Sequence, residues 1–325
     1  MLPRIQPINR LEVLTKRRQQ TMTTTGATNQ QTLGGKPRYP LALPSHPLKR
    51  WIAVKAGWLL CSLLPRNSSS LLKGERPLSN SLRDRLTMAY LVDSRLKHGR
   101  MSELNHFHEQ FWKTPEIVAL HAEIEKSFEY WLTGPNAKLI EEIERAIRTH
   151  PVSTVCEIGC GNGRALQYLA ELLYGPQRFI GIDLSDAQTE INRTRYAGSQ
   201  LEFVCAEATA WITQNAKPGW FYFSYGGVLE YLTQPQLESL LDWIKNQAAP
   251  ATFAIAETVG IDHDFEKNPD SEPYGYELSF SHNYRKLFRL AGYTLHYYSE
   301  HWSEGIRYVL MVSSVGWENK AAASQ

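Results

Sequence analysis

Apolar positions change their spacing at Pro151, and this change divides the 325-residue chain into two kinds of sequence. Before Pro151 they recur at helical intervals; Leu139, Ile140, Ile143 and Ile147, for example, predict one buried side of a helix. After Pro151, short runs rich in β-branched and aromatic residues alternate with helical segments. Such alternation predicts a doubly wound parallel sheet with right-handed crossovers.

Seven of these runs are predicted strands, at residues 154–159, 178–184, 201–207, 220–225, 251–259, 295–302 and 306–315. Only Ser303, Glu304 and Gly305 separate the last two, which is too short for a parallel crossover and predicts an antiparallel hairpin. The predicted fold class is therefore α/β: a Rossmann-like, doubly wound, seven-stranded sheet, mostly parallel with the last strand antiparallel. An N-terminal helical extension precedes it.

The same patterns predict four regions. Residues 1–45 are expected to be a disordered basic leader, because their Thr-, Gln- and Gly-rich part shows no apolar period. Residues 46–135 are expected to form a helical extension and lid, residues 136–317 the α/β domain, and residues 318–325 a flexible tail.

Charge is distributed unevenly along the chain. Residues 1–73 hold twelve Lys or Arg and one acid, Glu12, a net charge of +11 within a chain whose total is +2. Such asymmetry predicts contact with an anionic surface or partner, the alternative being a solvated tail. The apolar stretch from Trp51 to Pro65 contains Lys55 and is too short to span a bilayer. Residues 46–66 can thus make a peripheral membrane or protein contact, or pack on the catalytic domain.

Cysteine spacing gives no metal motif. Cys61, Cys156, Cys160 and Cys205 form no CxxC pair and are expected to be reduced thiols, with Cys156 and Cys205 in buried strands. Nothing in this pattern indicates secretion, and the expected location is cytoplasmic, with attachment to the periphery of a membrane as the alternative.

The strongest local motif is VCEIGCGNGRALQYLAELL, in which a predicted strand enters a glycine-rich turn and then a helix. Gly159, Gly161 and Gly163 allow a tight turn and let a ligand approach bare backbone at the positive end of the helix. Asp183 ends the next strand, where an acid can accept hydrogen bonds from ribose hydroxyls. Dinucleotide folds favour GxGxxG, whereas this turn is GxGxG preceded by the acid Glu157.

The spacing E-x-G-x-G-x-G resembles the first motif of class I S-adenosylmethionine (SAM) dependent methyltransferases of the small-molecule type. The resemblance extends over about half of the chain, from the helix before Pro151 to the closing hairpin. It implies that Glu157 and the Gly159–Gly163 turn hold the methionine part of SAM, Asp183 the ribose, and Glu207 the adenine amino group. The full set of expected cofactor-binding residues is Glu157, Gly159, Cys160, Gly161, Gly163, Asp183, Leu184, Glu207, Ala208, Ser224 and Tyr225. Each acid also has a structural alternative, as a solvated strand end or a helix cap.

The acceptor side is predicted less directly. His263, between two acids in the loop after the fifth strand, is the first candidate for a general base, and Glu230 is the second catalytic candidate. The expected substrate-binding residues are Tyr231, Tyr274, Tyr276 and His282. A functionless surface histidine and core packing are the competing explanations. No catalytic metal is expected, because successive residues on a strand do not face one point.

The hypothesis is transfer of a methyl group from SAM to an oxygen or nitrogen of a ring-bearing or sugar-like small molecule. The chain lacks the (N/D/S)PP(Y/F) sequence of base methyltransferases, so nucleic acid is not an expected partner. It also shows only one of the two glutamates by which arginine methyltransferases bind guanidinium. The alternatives are a non-catalytic protein that binds SAM or its product as a sensor or membrane-associated scaffold, and an NAD-dependent oxidoreductase.

Overall fold

The structure is a computed structural model. It describes residues 46–72, 79, 81–100, 102–114, 117–122, 125, 128, 134, 136–274, 279–303 and 306–317. The predicted leader and tail lie outside the described residues, as do Tyr276 and the residues 304–305 between the last two strands.

Helices dominate the described residues before Pro151. They are α1 (Pro47–Leu63), α2 (Pro65–Leu72), α3 (Leu82–Lys97), α4 (Ser102–Trp112) and α5 (Ala137–Thr149). Residues 117–122 are helical as well. On α5 the predicted apolar side is the buried one, and the helix ends at Thr149, with His150 as its C-cap residue directly before Pro151.

The α/β part follows in the order β1 (Thr154–Ile158), α6 (Arg164–Leu172), β2 (Arg178–Asp183), α7 (Asp186–Arg195), β3 (Leu201–Cys205), α8 (Ala208–Asn215) and β4 (Trp220–Tyr225). A 3₁₀ turn (Leu229–Tyr231), α9 (Gln234–Gln247), β5 (Ala251–Val259), β6 (Glu272–Tyr274), β7 (Ser279–Ser281), α10 (Tyr284–Leu290), β8 (Thr294–Ser303) and β9 (Ile306–Val315) complete it.

Seven of these strands form one sheet in the order β3-β2-β1-β4-β5-β9-β8. The pairs among β1 to β5 are parallel, and β9 runs antiparallel to both β5 and β8. The predicted fold class is confirmed, including the closing hairpin. The pair β6 and β7 is an addition, because three-residue strands are too short to show an alternating pattern.

Apolar side chains fill both faces of the sheet. One core, with Tyr222, Phe253 and Phe288, lies between the sheet and the helices α9 and α10. The other, with Phe179, Phe221 and Leu166, lies on the opposite face with α5 and α6. Burial on both faces explains why the strands are continuous apolar runs.

The helices α1, α2 and α3 share a smaller core of their own, built around Ala53, Leu71, Met88 and Val92. Arg50 donates a hydrogen bond to Asp93 at 3.1 Å and ties α1 to α3. No helix among the described residues has the length and apolarity needed to cross a bilayer.

One cysteine differs from the prediction. Cys156 is buried in β1 as expected, but Cys205 is exposed. The reason is that β3 is the edge strand of the sheet, a position that the apolar run alone does not reveal. All four thiols are free.

Candidate active site

A cavity opens at the carboxyl ends of β1, β2 and β4, where the strand order changes direction between β1 and β4. Ligands of open α/β sheets bind at such switch points. The wall on the sheet side comes from the turn after β1, the ends of β2 and β3, and the loop after β4. The opposite wall comes from α4 and from His121, Glu125 and Phe128.

The turn after β1 has a bare backbone facing the cavity. Gly159 and Gly161 have φ angles of +69° and +48°, which favour glycine. A Cβ on Gly159 would stand 2.5 Å from a methyl carbon of Val228, so the turn packs directly against the loop after β4. Gly163 begins α6 as its N-cap residue and does not line the cavity.

Glu157 supplies a buried carboxyl group to the cavity wall. Its Oε2 has no hydrogen-bond partner within the part of the chain that the structure describes. Burial raises the pKa of Glu157 well above its ordinary value, and Asp183 raises it further. A buried, unpaired carboxyl oxygen costs free energy unless a ligand supplies a donor. The residue therefore fits a cofactor that presents a cationic or hydrogen-bond-donating group.

Asp183 links the end of β2 to the glycine turn. Its Oδ2 accepts a hydrogen bond from the Gly161 N–H at 2.9 Å, and its Oδ1 accepts one from the Ser185 N–H at 2.9 Å. A carboxylate has about four acceptor sites, so each oxygen still has one for a hydroxyl in the cavity. This geometry suits recognition of a ribose diol.

Glu207 both caps a helix and lines the cavity. Its two oxygens accept hydrogen bonds from the N–H groups of Thr209 and Ala210, at 2.9 and 2.6 Å, and from the Thr209 hydroxyl. The cap fixes the carboxylate at the start of α8, with Leu184 and Ala208 beside it in the cavity wall. The structure thus shows the helix cap, and because Glu207 also lines the cavity, its contact with the adenine amino group stays a prediction.

The loop after β4 is held by Glu257, a fully buried carboxyl group of β5 that the sequence did not single out. Its oxygens accept hydrogen bonds from the Ser224 hydroxyl and from the N–H groups of Val228 and Leu229, the latter two at 2.9 and 3.0 Å. Burial raises the pKa of Glu257 to about 8, and the charge of Glu230 contributes to the rise. Ser224 is buried by this contact and does not line the cavity, whereas Tyr225 does.

Aromatic and histidine side chains form the other wall, the roof of the cavity. Trp112 lies between His121 and Tyr231, with ring centroids 6.0 and 5.4 Å apart, and His108 lies 4.9 Å from Tyr231. Phe128 packs edge-on against Tyr225. The sequence alone does not single out His108, His121 or Phe128, because the apolar pattern of a helix is the same whether its buried side faces a cavity or a packed core.

A chain of amide groups orients His121. The carbonyl of Gly161 only accepts hydrogen bonds, so Asn192 must present its NH₂ group to it, at 2.7 Å. The Asn192 oxygen then faces the Gln188 NH₂ group at 2.9 Å, and the Gln188 oxygen faces Nδ1 of His121 at 3.2 Å.

These hydrogen bonds fix the tautomer of His121. Nδ1 must carry the proton that it donates to Gln188, so Nε2 of the neutral ring is an acceptor. Nε2 lies against the glycine turn, only 3.3 Å from where a Cβ on Gly161 would stand. The ring therefore presents the acceptor nitrogen Nε2 beside the glycine turn.

Four other residues that the sequence predicted for the site do not line the cavity. They lie behind the loop after β4 and are His263, Glu230, Tyr274 and His282. His263 is hydrogen-bonded through Nδ1 to Ser281 and through Nε2 to the carbonyl of Asn268, both at 2.8 Å. Glu230 accepts hydrogen bonds from Thr258 and Tyr274. Burial first, and Glu230 second, raise the pKa of the Tyr274 hydroxyl.

His282 completes this group. It contacts Ser271 and the carbonyl of Leu232 at 2.6 and 3.0 Å, and burial lowers its pKa to about 4. Of the predicted substrate-binding residues that the structure describes, only Tyr231 lines the cavity. Within the described residues no group of three His, Cys, Asp or Glu side chains is arranged to hold a metal ion.

One family model and several solved structures are similar to this chain. Residues 155–251 match the family model described as a methyltransferase domain. No curated protein matches the chain.

Solved structures with a similar fold include three methyltransferases. One is the magnesium protoporphyrin IX methyltransferase of Synechocystis PCC 6803 with bound SAM, which is 13% identical, with 59% of this chain and 81% of that one covered at a TM-score of 0.41. A SAM-dependent methyltransferase of Leishmania major is 13% identical, with 64% and 82% covered at 0.45. A TehB-like SAM-dependent methyltransferase of Corynebacterium glutamicum is 15% identical, with 61% and 99% covered at 0.41.

Residues 155–251 thus match a methyltransferase domain, and the strand order and the glycine turn with its acids are consistent with a class I SAM-dependent methyltransferase. Its cofactor is S-adenosylmethionine. The bare backbone at Gly159 and Gly161 and the unpaired oxygen of Glu157 fit that molecule.

Proposed function

We propose that this protein transfers the methyl group of SAM to an oxygen or nitrogen of a small, ring-bearing or sugar-like acceptor. The observation that carries the proposal is the composition of the cavity. Its sheet side offers the glycine turn, Glu157 and Asp183, while its other side offers aromatic and imidazole groups. A donor and an acceptor can therefore lie in one enclosed space.

In this proposal the sheet side binds the cofactor. Asp183 and the turn hold the ribose and methionine parts, and Glu157 pairs with the cationic end of the methionine. Leu184, Glu207 and Ala208 border the adenine. SAM supplies an already activated methyl group, so orientation of the acceptor contributes much of the rate, up to about 7–11 kcal/mol in well-oriented systems.

The roof is proposed to bind the acceptor. Trp112, Tyr231 and Phe128 present ring faces and edges on which a ring or the apolar face of a sugar can pack. Tyr225 closes the space from the sheet side. The side chains that surround this space are mainly apolar, which favours a compact organic molecule over a polyanion.

The hydrogen bonds favour His121 over His263 as the general base for an alcohol or phenol. His121 lines the cavity with Nε2 as an acceptor, whereas both ring nitrogens of His263 are bonded within the protein. Glu230 is likewise engaged with Tyr274 and Thr258. On this proposal Gln188 holds the imidazole while Nε2 takes the acceptor proton.

The turnover test is a reaction of the purified protein with SAM and fractionated small-molecule extracts, followed by mass spectrometry. We expect formation of S-adenosylhomocysteine together with a product heavier by one methyl group. A protein that bound SAM yet formed no S-adenosylhomocysteine above the protein-free control would instead be a sensor or scaffold. Binding of NAD without binding of SAM, measured by calorimetry, would support the oxidoreductase.

His121 is tested with the product so identified. His121→Ala should lower kcat by about 10²–10⁴ while leaving the Kd for SAM unchanged within about threefold. His263→Ala is the matched variant and should retain more of the wild-type kcat. Equal losses of kcat in the two variants would contradict the assignment of the base. An amine acceptor that needs no base would show no loss in His121→Ala.

A further inference from the structure

The outward side of α1 is unusual for a protein surface. Half of the large apolar side chains that are exposed within the described residues belong to residues 48–64. The six of them on α1 are Leu48, Trp51, Ile52, Trp58, Leu59 and Leu63, each between 51% and 67% exposed. Contiguous exposed apolar surface indicates an interaction site.

The inward side of the same helix is made of small residues. Ala53 and Gly57 are its buried positions, and a Cβ on Gly57 would stand 2.0 Å from the carbonyl oxygen of Leu86. The helix thus approaches α3 through its smallest side chains and turns its largest ones outward. A helix that merely packed on the protein would be arranged the other way round.

Helical geometry places the exposed residues on one stripe. Leu48, Ile52, Lys55 and Leu59 follow one another at intervals of four, three and four, and Trp51 and Trp58 lie beside them. The hydrogen bond between Arg50 and Asp93 fixes the rotation of the helix about its axis. The stripe therefore points away from α3.

Charge selects among the possible occupants of this surface. Residues 46–72 contain Lys49, Arg50, Lys55 and Arg66 and no acid, and the preceding residues are strongly basic as well. A second copy of the chain would bring equal positive charge to the same place, with no acid there to pair with it. An anionic lipid surface offers negative headgroups for the lysines and an acyl boundary for the tryptophans and leucines.

We propose that α1 docks this protein on an anionic membrane surface, lying in the plane of the headgroups with its outward stripe inserted. Lys49 and Lys55, both exposed, contact lipid phosphates or carboxylates. Trp51 and Trp58 lie at headgroup depth, the level that indole rings prefer. Membrane docking through α1 does not depend on which molecule accepts the methyl group, because α1 does not contribute to the cavity.

Sedimentation of the full chain with vesicles tests the proposal. Vesicles of phosphatidylcholine alone are compared with vesicles containing about 30% phosphatidylserine. We expect a partition coefficient at least about tenfold higher on the anionic vesicles, and a decrease as salt is raised. A wild-type chain that stays in the supernatant with both lipids would overturn the proposal.

Two variants separate the apolar and the electrostatic contributions. Trp51→Ser/Trp58→Ser and Lys49→Glu/Lys55→Glu should each lower the partition coefficient on anionic vesicles by about tenfold or more. The matched control is Tyr174→Ser/Leu290→Ser, which removes two equally exposed apolar side chains elsewhere and should bind like the wild type. Equal binding by all three variants would sink the assignment to α1.

The oligomeric state shows whether a second copy of the chain, rather than lipid, covers the outward side of α1. Analytical ultracentrifugation without lipid is expected to give a species whose mass does not depend on Trp51 and Trp58. A dimer that Trp51→Ser/Trp58→Ser dissociates, together with no vesicle binding, would assign the surface to a second copy instead. Wild-type vesicle binding unaffected by Trp51→Ser/Trp58→Ser, but abolished by deletion of residues 1–45, would assign the lipid contact to the leader.

Discussion

Glu257 joins the sheet to the loop after β4 that borders the cavity. Its carboxyl group receives the N–H groups of Val228 and Leu229, and both residues line the cavity. Replacing it with alanine leaves two backbone donors without this acceptor and should lower the free energy of unfolding by about 2–3 kcal/mol. It should also weaken SAM binding, measured by calorimetry.

Glu257→Gln should behave differently, because an amide oxygen can accept both N–H bonds while the NH₂ group meets Ser224. The folded-state pKa near 8 lies above the ordinary value of 4.5, so the stability due to the protonated form is present below about pH 4.5 and is lost as the pH rises towards 8.

A glutamine at position 257 has no proton to lose, so this variant keeps its stability as the pH rises. The difference between Glu257→Gln and the wild type should therefore grow by up to about 1.4 kcal/mol per pH unit across that window, in denaturant titrations. Glu171→Gln, on the exposed side of α6, is the control and should show no such trend. A flat difference would mean that Glu257 is ionised in the folded protein.

At the level of single residues, most of the predicted cofactor-binding residues line the cavity, whereas few of the predicted acceptor-side residues do. Glu157, Asp183 and the glycines stand at fixed distances from strand ends, and the fold brings strand ends together. His121 lies on a separate helical segment, and hydrogen bonds through Gln188 and Asn192 hold its ring in the cavity wall. The spacing of residues in the sequence does not predict a contact between positions so far apart, such as His121 and Gln188.

At the level of elements, the contact between α1 and α3 depends on Gly57. Alanine in a helix interior is ordinarily more stable than glycine by about 1 kcal/mol. Here Gly57→Ala should instead destabilise the α1–α3 core by about 1–3 kcal/mol, because the added Cβ overlaps the Leu86 carbonyl oxygen. The check is the midpoint of thermal unfolding, followed together with limited proteolysis within residues 46–100.

Ser62→Ala, on the exposed side of α1, is the matched control and should leave the midpoint unchanged or raise it slightly. A higher midpoint for Gly57→Ala would contradict the close packing of the two helices.

Strands and long helices were predictable because burial on one or both faces gives a repeating pattern. The strand β3 kept its predicted position, yet Cys205 is exposed, since the pattern does not say which strand lies at the edge. The β6–β7 pair was missed within a predicted loop because three residues carry no period. On α1 the apolar pattern was visible, but which side faced outward was not.

For the whole molecule, cofactor binding should couple to stability. A ligand at about one hundred times its Kd stabilises the folded state by about 2.7 kcal/mol. For a domain of this size we expect SAM to raise the midpoint of thermal unfolding by several degrees. Asp183→Ala should abolish the shift, as it removes the acceptor of the Gly161 N–H and of the ribose, whereas Glu171→Gln should retain it.

Equal shifts in Asp183→Ala and the wild type would show that the cofactor binds elsewhere. The measurement does not depend on knowing the acceptor, and it separates loss of cofactor binding from loss of turnover.

The roof of the cavity has a consequence for how such a protein can diversify. His108, Trp112, His121 and Phe128 all lie outside residues 155–251, the stretch that matches the family. These four side chains, unlike Tyr231, are thus encoded apart from the stretch that matches the family. On the proposed function, exchange of residues 102–128 for those of a related protein should change the accepted molecule while every strand end within residues 155–251 stays as it is.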